Sequence, residues 1–148
     1  MKKELIALFL TGLATFAYAQ DELTISKLSV DQDTKAEFQK MTANQHLPKW
    51  VTLGGTDSQG QKVTIAGNQY LVLTSCKPHD CGSQRIAVLY SLAKKNIAGV
   101  FSSVEDKTGN EKLQWLNIPD ELSIDGKTVL LAALTGSLDN HPDSFNFK

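Results

Sequence analysis

Polar and apolar side chains alternate with a period of two from Gln61, where Val63 and Ile65 stand among Lys62 and Thr64 before the turn composition Ala66-Gly67-Asn68. Successive strand side chains point to opposite faces, so this pattern predicts a half-buried strand. Residues 69–74 supply a second strand and complete a hairpin. A third strand pattern covers residues 85–92, Lys94-Lys95-Asn96 marks a turn, and residues 97–104 carry the Ile, Val and Phe that favour a pleated surface. After a turn cluster over residues 106–110, residues 112–117 fit a fifth strand or a helix turn, with strand preferred and Trp115 buried in both. An antiparallel meander is the economical arrangement.

Two stretches break this period. Thr34-Lys35-Ala36-Glu37 has the Ser/Thr-x-x-Glu form of a capping box, which predicts a helix of about ten residues. Ala36, Phe38, Met41, Leu47 and Trp50 are the candidate buried positions of that region, with Asn44 and Pro48 closing the helix and starting a turn. Residues 20–33 alternate poorly. Asp125-Gly126 reads as a turn before residues 128–135, which are apolar nearly all round. Their Ala and Leu content selects helix, and Gly136 stops it. The tail from His141-Pro142-Asp143 to Lys148 reads as irregular structure on the surface. The fold class is therefore α+β, a central antiparallel sheet of about five strands flanked by helices.

Met1-Lys2-Lys3, an apolar stretch from Leu5 to Ala17 and the small-x-small triplet Ala17-Tyr18-Ala19 have the form of a secretory signal, so residues 1–19 are read as a signal peptide and 20–148 as one mature domain. The apolar stretch falls short of the roughly 20 residues that span a bilayer. Without Lys2, Lys3 and Glu4 the mature chain carries 13 basic and 15 acidic residues, a net charge of −2. That balance argues against nucleic acid as a partner and, weakly, suits a basic protein.

Cys76 and Cys81 are the only cysteines, in a chain read as exported, so Cys76-Lys77-Pro78-His79-Asp80-Cys81 is read as a disulfide-closed loop between two strands. Five extended steps would cover roughly 17 Å, whereas a disulfide holds its Cα atoms about 4.4–6.8 Å apart. The intervening residues must bulge outward, with His79 near the tip. Zinc is a poor fit, because the loop offers three ligands where a structural site takes four and only His46 or His141 could be recruited. Thiol oxidoreductases use C-x-x-C, an oxidised cysteine cannot attack a substrate, and no Ser-His-Asp or nucleophile-elbow pattern occurs. No catalytic, metal or cofactor residue is expected. A zinc- or thiol-dependent envelope protein and a general envelope-binding or chaperone-like module stand as the alternatives. From the residues alone, a rigid recognition loop and a simple covalent staple are equally good readings.

The loop with its continuation Gly82-Ser83-Gln84-Arg85-Ile86-Ala87-Val88, and Ser123-Ile124-Asp125-Gly126-Lys127-Thr128-Val129-Leu130, resemble the Ivy family of bacterial inhibitors of vertebrate c-type lysozyme. Ala132-Ala133-Leu134-Thr135-Gly136-Ser137-Leu138, the ending Asn140-His141-Pro142-Asp143 with Phe145-Asn146-Phe147-Lys148 and, more loosely, Leu23-Thr24-Ile25-Ser26 extend the likeness. The resemblance implies a periplasmic homodimer that performs no chemistry and needs no cofactor. It also implies that Lys77, Pro78, His79 and Asp80 form an inhibitory loop, closed by Cys76 and Cys81, which plugs the lysozyme cleft with His79.

Overall fold

The structure, a computed structural model, describes residues 23–148; residues 1–19, read above as a signal peptide, and residues 20–22 lie outside the described residues. The elements run α1 (Ile25–Leu28), α2 (Lys35–Thr42), α3 (Trp50–Leu53), β1 (Thr56–Asp57), β2 (Gln61–Ile65), β3 (Asn68–Cys76), β4 (Gln84–Ser91), β5 (Ile97–Val104), β6 (Glu111–Leu116), α4 (Asp125–Thr135) and α5 (Ser137–Asn140). Every strand pairing is antiparallel, in the order β1-β3-β4-β5-β6, with β2 beside the first part of β3. The predicted hairpin is β2–β3, closed by Ala66 and Gly67, both at positive φ. That conformation gives a two-residue turn the twist its flanking strands need.

The sheet buries both faces. Tyr70, Val72, Ala87, Leu89 and Val100 point to α4, where Val129, Leu130, Ala132 and Leu134 are buried. Leu73, Ile86, Val88 and Phe101 point the other way, to Phe38 and Met41 of α2, Ile25 and Leu28 of α1, and Val51 of α3. Burying such side chains contributes about 1.5–3 kcal/mol each, so helices too short to persist alone are held by the sheet beneath them.

Several expectations give way. Thr34 precedes α2 but caps nothing: its buried hydroxyl donates to the Leu28 carbonyl, tying α2 to the end of α1. The helix runs eight residues rather than about ten, and Ala36 is exposed. Residues 24–28, which show no strand-like alternation, hold α1, capped where the Lys27 N–H donates to the Thr24 hydroxyl. The sheet has six strands, the two-residue β1 being too short to leave a pattern. Trp115 is half-buried, with Lys127 over its ring at 5.0 Å. Asp125-Gly126 begins α4 instead of turning before it; Gly126 is buried where a Cβ would stand 2.6 Å from that of Leu122. Gly136 ends the helix at φ 77°, as expected. The tail is more ordered than its composition suggests, with α5, a 3₁₀ turn over Pro142–Phe145 and a parallel bridge from Phe147 to Ile65.

Candidate functional site

Cys76 ends β3 and pairs with Arg85 near the start of β4, so residues 77–83 cross between the strands at one end of the sheet. The Cys76–Cys81 disulfide closes the loop with its Cα atoms 4.8 Å apart. Inside the closure the Asp80 N–H donates to the Lys77 carbonyl at 3.0 Å. Pro78 and His79 are the central residues of that turn, and His79 has φ 63°. Proline first and positive φ second is the pattern of a type II turn, whose second position normally goes to glycine. Proline fixes its own φ without cost, whereas histidine there costs about 1–2 kcal/mol. The imidazole ends exposed at the tip, with no hydrogen bond or ion pair among the described residues.

The charges around it are spent on the loop itself. The Ser83 hydroxyl donates to Asp80 Oδ2 at 2.6 Å, and Lys77 Nζ meets the same oxygen at 3.1 Å. The Ser83 hydroxyl chiefly, and the Lys77 ammonium after it, hold the Asp80 carboxyl below the ordinary aspartate value of 3.8. Lys77 and Asp80 thus neutralise one another beside the histidine, and between them add no net charge to the tip.

The base of the loop is anchored on all sides. The Lys77 N–H donates to the Gln84 carbonyl at 3.1 Å, and the Val104 N–H of β5 donates to the Ser83 carbonyl at 2.8 Å. From α3, Trp50 Nε1 donates to Gln84 Oε1 at 2.8 Å while its ring packs 6.2 Å from that of Phe101. Gly55 lets the α3–β1 connection press on β3, since a Cβ there would stand 2.7 Å from the Cys76 carbonyl oxygen. Arg85 donates to the Leu134 carbonyl at 2.7 Å and pairs with Glu111 at 3.3 Å, bolting the C-terminal turn of α4 to the sheet. Cations are favourable where a helix leaves its last carbonyls unpaired.

The loop residues Lys77, Pro78, His79 and Asp80 are thus brought together as the spacing predicts, between Cys76 and Cys81. With the two sulfurs joined, the loop offers neither thiolates for zinc nor a thiol for exchange. Among the described residues no group of three or more His, Cys, Asp or Glu could hold a metal ion, and His46 and His141 are both exposed. The supports Trp50, Gln84 and Arg85 were not identified from sequence. An indole N–H needs an acceptor when packed against a core, which flags Trp50, but the partner lies 34 positions away.

Residues 33–135 match the profile of a family described as inhibitor of vertebrate lysozyme (Ivy). Over 136 residues the chain is 57% identical to the inhibitor of vertebrate lysozyme of Escherichia coli strain K12, covering 92% of this chain and 87% of that protein. It is 31% identical over 108 residues to the inhibitor of vertebrate lysozyme of Pseudomonas aeruginosa, covering 70% of this chain and 71% of the relative. An uncharacterized Yersinia pestis protein is 33% identical over 129 residues, covering 81% and 79%.

Proposed function

This chain belongs to the Ivy family of inhibitors of vertebrate lysozyme, and on that premise we propose that it inhibits c-type lysozyme by seating the Cys76–Cys81 loop in the enzyme's cleft. The observation that carries the reading is the exposed, unpartnered imidazole of His79 on a covalently closed, anchored turn. Lysozyme works with two carboxyl groups, a glutamic acid kept protonated near neutral pH and an ionised aspartate close by. An imidazole has two nitrogens on opposite sides of a flat ring. Set between the two carboxyls it hydrogen-bonds both, while Pro78 and the loop backbone fill the space the scissile sugar needs. No bond is made or broken, so the inhibitor is not consumed.

Pre-organisation is the loop's energetic advantage. Ordering a flexible segment on binding costs free energy that a rigid one has already lost. By chain-entropy reasoning, closing so short a loop is worth about 2 kcal/mol, and Pro78 adds a further restriction. The imidazole therefore arrives already aimed.

Export to the periplasm through removal of residues 1–19, and assembly as a homodimer, belong to the same reading. The disulfide supports an oxidising compartment; cell fractionation checks location, and sedimentation equilibrium checks the dimer. The function itself is tested by titrating a vertebrate c-type lysozyme with the mature protein while following hydrolysis of bacterial cell walls. The expected result is loss of hydrolysis that added substrate relieves. Full hydrolysis at a large molar excess of protein contradicts the proposal.

A further inference from the structure

The loop cannot be the whole contact. A stable protein–protein interface buries about 800 Å² on each partner and draws on roughly 20–30 residues a side, whereas the connection contributes only residues 77–83. The binding surface must continue onto neighbours of the loop: the α4–α5 corner, where Leu134 and Gly136 line a cleft with Cys76 and Cys81, and two segments that flank the loop base. One is the β5–β6 connection beside Ser83, the other the α3–β1 segment beside Cys76.

The two differ in chemistry. Residues 105–110 are exposed and polar, and they satisfy one another: the Thr108 hydroxyl donates to Glu105 and the Gly109 N–H to the Glu105 carbonyl. The α3 side carries Leu53, 81% exposed. It stands two residues before Gly55, which lies against the Cys76 carbonyl, and its helix is fixed to the loop base through the Trp50–Gln84 hydrogen bond. Interfaces put apolar area at their centre and polar groups at the rim.

We propose that Leu53 is a second contact of the inhibitory surface, covered by an apolar part of the wall of the lysozyme cleft when the His79 loop is seated. The inference rests on the proposed insertion of that loop and extends it to a residue that helps determine affinity. It places the β5–β6 connection at the rim.

The test compares Leu53→Asp, Leu53→Ala and Ile124→Asp with His79→Ala in the lysozyme titration, after confirming unchanged melting temperatures. Ile124 is also highly exposed, at 76%, but precedes the far end of α4, whose other end carries the Leu134 carbonyl bound by Arg85. Covering a leucine side chain is expected to be worth about tenfold in affinity, so Leu53→Ala should weaken inhibition by about that factor and Leu53→Asp by more, with Ile124→Asp unchanged. Inhibition unchanged in both Leu53 variants but weakened in His79→Ala overturns the second contact and leaves loop insertion standing. Unchanged inhibition in all four variants overturns both. Equal weakening by Leu53→Asp and Ile124→Asp also overturns the second contact, because the cause is then added charge rather than a local surface.

Discussion

Two connections stand side by side at one end of the sheet, residues 77–83 and residues 105–110, and both are polar. The second spends glycine where its backbone needs positive φ, at Gly109, and pairs its polar groups internally. The first puts His79 at the equivalent kind of position, fixes it with Pro78 and a disulfide, and leaves the imidazole unpartnered. Exposure and polarity are common to both, so neither marks a recognition loop. Positive φ alone does not mark one either, since Ala66 and Lys95 adopt it in ordinary hairpin turns. The distinguishing combination is constraint together with an unsatisfied functional group. Backbone strain is retained where the surroundings over-determine it, and here the over-determination is covalent.

The comparison breaks first at His79. Replacing it with Ala should raise the concentration needed for half-inhibition by about thirtyfold, the scale of a central hot-spot residue; a loss below about threefold, roughly 0.65 kcal/mol, would make the surrounding contacts dominant. His79→Asn sharpens the result, because Asn tolerates positive φ and so keeps the turn while deleting the imidazole. It should lose nearly as much inhibition as Ala.

Opening the disulfide comes next. Replacing Cys76 and Cys81 together with Ser should weaken inhibition by about tenfold, because Pro78 and the Asp80-to-Lys77 hydrogen bond retain part of the roughly 2 kcal/mol of closure. Circular dichroism should still report the folded sheet. Unchanged inhibition would reduce the bridge to a staple.

A smaller effect concerns pH. The Asp80 carboxyl is held below its ordinary value, so its contribution to the turn is complete above the unfolded pKa and fades as pH falls through the folded one. Carboxyl carbon shifts should give an Asp80 midpoint below 3.8, and the Ser83–Asp80 turn should be unchanged from neutral pH to about pH 5. The least effect is expected from Thr108→Ala in the other connection. It removes two exposed hydrogen bonds, the one the hydroxyl donates to Glu105 and the one it accepts from the Asn110 N–H, costs about 1 kcal/mol of stability in a denaturant titration, and should leave inhibition intact.

Strands β2 to β6 and the 77–83 loop were legible in the sequence because their information is local: alternation, turn residues and a cysteine pair. The capping box was not, because the fate of the Thr34 hydroxyl was decided by a carbonyl six residues back, at Leu28, and not by Glu37. Asp125-Gly126 misled for a related reason. Glycine usually signals a turn, but at Gly126 it serves close packing on Leu122. Leu53 could not be singled out either, since its lack of cover depends on how α3 is pinned to Gln84. The closed loop was readable, and the framework that holds it was not.

The central claim is that the His79 ring lies between two carboxyl groups of the enzyme, and its nitrogens can be watched directly. In protein labelled with ¹⁵N at histidine, adding lysozyme should move both ring-nitrogen signals of His79 and slow exchange of the ring proton with water. Ring signals left at their free positions in a complex that shifts the backbone signals of Lys77 and Asp80 would contradict it.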